Sequence, residues 1–190
     1  MAKERKQIIL QSLAKLLEEK DATKITTAVL ATESGITEAA LYRHFPSKRS
    51  IFLELFSYCD QTVFHKIGEI KKDSEIEPQE KVRLIFFFYA IFLEKNKGFA
   101  RILSREALGP SEQNVIDSVN QFYERLELSI KQLLASKKSS LRLTSGQSAH
   151  LITSIMEGMI SRFIRNKFKE IPSNYIENYW AMISNSIFKN

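Results

Sequence analysis

Between Ile25 and Phe56 the chain reads ITTAVLATESGITEAALYRHFPSKRSIFLELF, and Gly35 in the middle of it limits the fold more than any other residue. It separates two short stretches of helical spacing, and Pro46 separates the second from a longer one, so the segment suits a helix-turn-helix. Thr26 or Thr27 can cap the first short helix by accepting an exposed backbone N–H. Val29 and Leu30 supply apolar contacts, Ala31 permits a close crossing, and Gly35 can take the positive φ of a tight turn. Ile36 then plugs the junction and Thr37 is the natural cap of a helix running from about Glu38 to His44. Within that helix Ala40 and Leu41 are expected inward, leaving Thr37, Ala39, Tyr42, Arg43 and His44 for the outward side or the ends. Ser47 can cap the next helix, whose first turn carries Lys48 and Arg49. Cations oppose the helix dipole there, a cost that has a reason if a phosphate binds the same turn.

The remaining sequence is helical in pattern. Residues 4–19 carry Ile9, Leu13 and Leu16 on one stripe, behind a basic lead of Lys3, Arg5 and Lys6. After Ser47, the residues Phe52, Leu55, Phe56, Cys59, Val63, Ile67 and Ile70 recur at steps of three or four and predict one long buried face. Pro78 opens a helix to about Lys95 whose centre, LIFFFYAIFL, is apolar nearly all round, as expected of a helix surrounded by others. A short helix over Gly98–Leu108, a long one over Ser111–Ala135 with Val115, Val119, Phe122, Leu126, Ile130 and Leu133 inward, and two more over Ser148–Phe168 and Tyr175–Ile187 complete the chain. Lys137–Gly146 reads as a polar loop. With no alternating Val/Ile/Thr runs, the expected fold is all-α with about nine helices. The expected division is a DNA-binding domain over residues 1–48 and a larger helical body over 49–190 for dimerisation and partner binding.

Charge alone points elsewhere. Residues 1–50 hold nine Lys/Arg against six Asp/Glu, residues 51–130 ten against thirteen, and residues 131–190 nine against three, so the last third is the most basic. The net charge of +6 is compatible with a polyanionic partner without demanding one. Cys59 is the only cysteine, which rules out an intrachain disulfide and suits the cytoplasm. The longest apolar stretch, Leu84–Leu93, has ten residues and cannot span a bilayer as a helix. His44, His65 and His150 lack metal-ligand spacing, and the chain has no GxGxxG or GxxxxGKS/T loop, so no metal and no cofactor are expected. Glu94, Glu106, Glu157 and Arg101 are the only candidates for a catalytic cavity, and nothing in their spacing brings them together, so the chain is not expected to be an enzyme.

The last two helices offer a pairing surface: Ile155, Met159 and Phe163 form one stripe, and Tyr175, Tyr179, Trp180 and Ile183 supply bulky groups to the other helix. Packing within one chain explains the same residues equally well. Reading of paired half-sites favours the dimer.

At Thr26–Phe52 the chain resembles the DNA-binding module of the TetR family, most specifically in the YRHFPSK string of Tyr42–Lys48. The resemblance continues through ILQSLAKLLEE, through ARILSREAL at Ala100–Leu108, and through EGMISRFIRNKFKEIP at Glu157–Pro172, to family members that act in nucleoid occlusion. It implies a homodimer on palindromic double-stranded DNA, with one or two dimers per site, associated with the nucleoid and antagonising the tubulin-like division protein FtsZ. Matched by position, Thr26 would set the first short helix on DNA, Thr37 and Ala39 would face bases, and Tyr42, His44 and Lys48 would hold phosphates; Arg43 would reach phosphate or pair with Glu38. The FtsZ C-terminal tail would dock at Tyr58, Lys66, Phe88, Ile91 and Lys95. Lys66 and Lys95 replace arginines and Ile91 a glycine of the resembled pattern, so this groove departs more than the reading head does. The competing expectation within the family is a ligand-responsive repressor with a cavity in its body.

Overall fold

The computed structural model describes residues 2–19, 24–105, 107–109, 112–137 and 140–189. Among them are nine α-helices: α1 (Ala2–Glu19), α2 (Thr27–Glu33), α3 (Glu38–His44), α4 (Lys48–Lys72), α5 (Pro78–Lys95), α6 (Lys97–Leu103), α7 (Gln113–Ala135), α8 (Ser145–Arg165) and α9 (Ile176–Ile187). The extended structure seen among the described residues is an isolated antiparallel bridge between Leu141 and Phe188. The all-α architecture is the one expected from the spacing of apolar residues.

The chain packs into two compact units. The first joins Met1–Gln61 with Asn96–Asn120, and the second joins Thr62–Lys95 with Gln121–Asn190. In the first unit α1, α2 and α3 pack on one another and α1 also packs on α6. Ile9, Leu13, Leu16 and Leu17 of α1, Leu30 of α2, Leu41 of α3 and Ile51 and Phe52 of α4 are all essentially inaccessible. The α1–α6 crossing is close: a Cβ at Gly98 would stand 2.7 Å from the Ala14 carbonyl oxygen. Only glycine permits that approach.

In the second unit α5 packs on α8 and α9, and a 3-10 turn at Pro172–Asn174 touches all three helices. The centre is aromatic: Phe122 meets Phe64 at 5.3 Å and Tyr123 at 5.5 Å, and Phe86 meets Trp180 at 6.1 Å between ring centroids. Buried Tyr89 shares a 3.4 Å hydroxyl contact with Tyr123. Burial pushes the Tyr89 phenol well above its ordinary range, with the neighbouring Tyr123 and Glu157 adding to the shift.

Several boundaries differ from the sequence expectation for identifiable reasons. α8 begins three residues early because Thr144 and Gln147 form a reciprocal capping box, each side chain accepting the other residue's backbone N–H. It ends at Arg165 because Lys167 and Phe168 adopt positive φ, 52° and 62°, and Phe168 folds back against Phe163. α6 stops at Leu103, and Arg105 takes φ 65° two residues later. On α7 the inward residue after Ile130 is Leu134, fully buried, while Leu133 is half-buried, since the stripe advances by four residues at that point. α5 is not enclosed on all sides: Ile91 is 40% exposed, and Phe87, Phe88 and Phe92 are half-buried.

Candidate nucleic-acid interface

The reading head is built by two short helices that could not persist alone, each being seven residues long. Their ends are fixed locally. Thr26 Oγ1 accepts the Val29 N–H at 3.2 Å, and Thr37 Oγ1 accepts the Ala40 N–H at 3.2 Å, so both threonines act as N-caps. Between them the Ser34 N–H donates to the Leu30 carbonyl, the Gly35 N–H to Thr32 and the Ile36 N–H to Ala31, with Gly35 at φ 65°. Leu41 points into the core, and Ala40 is half-buried beside it.

What remains outward on α3 is Thr37, Glu38, Ala39, Tyr42 and Arg43, with Tyr42 47% exposed. His44 is half-buried. The Thr37 methyl and hydroxyl, the Ala39 methyl and the Tyr42 phenol therefore share an open surface able to meet base edges and phosphate oxygens. Glu38 does not pair with Arg43. Its carboxylate accepts a hydrogen bond from the Thr27 hydroxyl, and the Tyr42 hydroxyl lies 3.5 Å from the same Thr27 oxygen. Nothing in the sequence marked Thr27 and Glu38 as partners, because eleven residues separate them and only the α2–α3 crossing brings them together.

At the start of α4 the Ser47 hydroxyl accepts the Ser50 N–H at 3.2 Å, and the Ser50 hydroxyl returns a 2.6 Å bond to the Ser47 carbonyl. Lys48 sits with Nζ 5.4 Å from the centroid of the Phe52 ring, half-exposed at the helix N-terminus. Lys6 in the basic lead is already engaged, over the Phe45 ring at 4.8 Å and paired with Glu54 at 3.1 Å. Arg5 is exposed, and the side chain of Lys3 lies outside the described residues. α1 and α2 are tied by the 2.8 Å pair of Lys15 and Glu33. The hydrogen bond from Glu33 holds the Lys15 ammonium pKa above its usual value, and the charge of the same carboxylate adds to it.

The residues expected at the partner groove fall in both units. Tyr58 belongs to the first and is 66% exposed. Lys66, Phe88, Ile91 and Lys95 belong to the second. Lys66 pairs with Glu69 one turn on, at 2.9 Å, and that hydrogen bond lowers the Glu69 carboxyl pKa. Phe88, Ile91 and Lys95 recur at steps of three and four on α5, with Phe88 against Phe92 at 5.6 Å between centroids.

Of the seven residues expected at a pairing surface, Met159, Phe163, Trp180 and Ile183 are covered by their own chain, each 7% exposed or less, and Tyr175 is exposed. Ile155 and Tyr179 are half-buried. Tyr175, Tyr179 and Met182 form the outward stripe of the last helix region, with Met182 69% exposed.

The acidic residues considered for catalysis are dispersed. Glu94 accepts the Ser173 backbone N–H, Arg101 belongs to the other unit, and Glu106 lies outside the described residues. Glu157 lines an open groove of about 310 Å³ on α7 and α8, with Tyr123, Glu124, Glu127, Leu128, Lys131 and Thr153. Among the described residues no group of three or more His, Cys, Asp or Glu is placed to hold a metal ion, and no helix is long and apolar enough to cross a membrane.

Comparison with known proteins separates head from body. The family model for bacterial regulatory proteins of the tetR family matches residues 9–55, and the SlmA-like_C model, a tetracyclin repressor-like C-terminal domain, matches residues 78–188. The nucleoid occlusion factor SlmA of Vibrio cholerae is 37% identical over 188 residues, covering 96% of this chain and 95% of its own. SlmA of Vibrio vulnificus is 38% identical over 192 residues with the same coverage. Among solved structures, NalD, the secondary repressor of the MexAB-OprM multidrug efflux pump in Pseudomonas aeruginosa, superposes with a TM-score of 0.83 at 16% identity, covering 99% of both chains. FadR of Bacillus subtilis, solved with stearoyl-CoA, superposes at 0.76 with 14% identity over 95% of this chain and 98% of its own. The shared fold thus extends to proteins of quite different sequence, while head and body together match one close set of relatives, and the chain belongs to the TetR family of bacterial regulators, closely related to SlmA.

Proposed function

We propose that this protein is a nucleoid occlusion factor: a sequence-specific DNA-binding dimer of the cytoplasm that, on the chromosome, antagonises FtsZ assembly and so blocks septum formation over the nucleoid. The observation that carries this reading is that the likeness to SlmA runs through the body, at 37–38% identity over 96% of the chain, and is not confined to the reading head. Bodies of helix-turn-helix regulators differ with what they bind, so likeness there carries information about the partner.

In this reading the functional division falls near Lys48. Residues 1–48 read palindromic double-stranded DNA, with Thr26 seating α2, Thr37 and Ala39 at base edges, and Tyr42, Arg43, His44 and Lys48 on phosphates; one or two dimers load per site. Residues 49–190 pair two chains through α8 and α9 and receive the acidic, apolar tail of FtsZ. The outward Tyr175, Tyr179 and Met182, with half-buried Ile155, supply contacts between chains, since Met159, Phe163, Trp180 and Ile183 are spent on the chain's own packing. For the tail, Phe88 and Ile91 offer apolar contact and Lys66 and Lys95 offer charge, all within the second unit.

The test is FtsZ polymer sedimentation with the purified protein, with and without DNA selected by that same protein. Disassembly strengthened by the selected DNA is the expected result. Selection of a defined site with no effect on FtsZ polymers, with or without DNA, would sink the occlusion reading and leave a DNA-binding repressor. That second reading draws on the open 310 Å³ groove of α7 and α8, which is of the size of a small ligand site.

A further inference from the structure

Resting on the DNA-binding reading, we propose that Glu38 is a positioning residue for sequence readout, acting through the Thr27 hydroxyl to hold Tyr42 and the α2–α3 crossing in the geometry that reads DNA. Three observations carry it. The Thr27 hydroxyl donates to the Glu38 carboxylate, joining the first residue of α2 to the first residue of α3. Tyr42, one turn along α3 on the face of Glu38, brings its hydroxyl to 3.5 Å from the same Thr27 oxygen. Glu38 and Tyr42 are exposed, so a carboxylate stands on the surface where every other assigned group is neutral or cationic.

An exposed anion on a DNA-reading face repels phosphate and weakens general attraction. Its presence there is accounted for if it performs a task that neutral side chains of other length do not. The two helices are otherwise joined by the four residues 34–37 and by apolar contacts beneath, where buried Leu41 orients the inner side of α3. A charge-assisted hydrogen bond between the two N-terminal residues holds the outer side, at the end of α3 that carries Thr37 and Ala39. Thr27 is free to serve as the hub because capping of α2 is done by Thr26.

The acceptor role of Glu38 and its charge are separable by substitution. Gln at position 38 keeps an oxygen for the Thr27 hydroxyl and removes the charge, whereas Ala removes both. Thr27→Val deletes the hydroxyl with the shape kept, and Thr27→Ser keeps the hydroxyl.

The experiment measures binding of the full chain to its selected DNA and to random DNA, at several salt concentrations, for wild type, Glu38→Ala, Glu38→Gln, Thr27→Val, Thr27→Ser and the Glu38→Ala/Thr27→Val double variant. Expected is a loss of roughly three- to tenfold in the ratio of selected to random binding for Glu38→Ala and for Thr27→Val, no further loss in the double variant, and retention of the ratio in Glu38→Gln and Thr27→Ser. Independent, multiplying losses in the double variant would overturn the proposal, as would Glu38→Gln losing as much as Glu38→Ala. A wild-type protein that selects no site would instead remove the DNA-binding reading itself.

Discussion

Lys48 carries the plainest residue-scale expectation. Its ammonium rests over Phe52 at the N-terminus of the longest helix, where a phosphate would find both the side-chain charge and the positive end of the helix dipole. Lys48→Ala should weaken selected and random DNA alike and reduce the slope of log affinity against log salt by about 1; equal slopes in a fluorescence-anisotropy titration would remove Lys48 from the phosphate contacts. Cys59 behaves oppositely, as packing. Burial pushes its thiol from 9.0 up to about 12, so the folded protein holds the proton longer than the unfolded chain does. Above pH 9 the unfolded state therefore gains by deprotonation, and stability should fall by about 1.4 kcal/mol per pH unit up to about pH 12 from this group. Urea unfolding at pH 8.5, 9.5 and 10.5 should show that extra slope in wild type relative to Cys59→Ala. The apolar role of this cysteine was legible from its place in the α4 stripe. The Thr27–Glu38 contact was not, since a hydrogen bond between two polar surface residues leaves no periodic trace.

Elements were readable to the extent that their ends carry chemistry. Thr26, Thr37 and Pro78 mark starts that structure and sequence share, and Gly35 marks the turn. The start of α8 was missed because its Thr144–Gln147 box stands in a run of polar residues that reads as loop, and the end was missed because two non-glycine residues take left-handed backbone there. Two substitutions test these ends by thermal or urea unfolding. Thr144→Ala should cost about 1 kcal/mol through loss of the cap. Gly98→Ala should cost more, about 1–3 kcal/mol, because the added methyl meets backbone of α1 and not a side chain that can swing aside. If Gly98→Ala is neutral, α1 and α6 do not approach as closely as described. The openness of α5 is a further case: ten apolar residues in a row predict enclosure, yet length and composition cannot say which neighbours lie on which side.

For the whole molecule, helix number and class were legible because periodicity repeats over many residues and averages out local ambiguity. The partition into packing units was not, since it depends on which distant segments meet. The reading head sits in a unit that also needs Asn96–Asn120, with α6 lying against α1. A fragment ending at Gln61 should therefore melt without a cooperative transition by circular dichroism, its α1 having lost α6; a sharp transition would mean that α1–α3 stand without it. On the partner side, Lys66→Glu should leave DNA binding as it is and impair FtsZ engagement, and undiminished FtsZ engagement would exclude Lys66 from that surface.

The interleaving has a consequence for the order in which the protein becomes active during its synthesis. The helix-turn-helix is complete as sequence by Lys48, but the unit that holds it is not complete until Asn120 has been made. At roughly 5–20 residues per second, several seconds pass in which the nascent chain carries a DNA-reading motif without its support. Prematurely terminated chains ending before α6 would lack that support for good. Such fragments, lacking α6 against α1, should compete poorly with the intact protein for DNA.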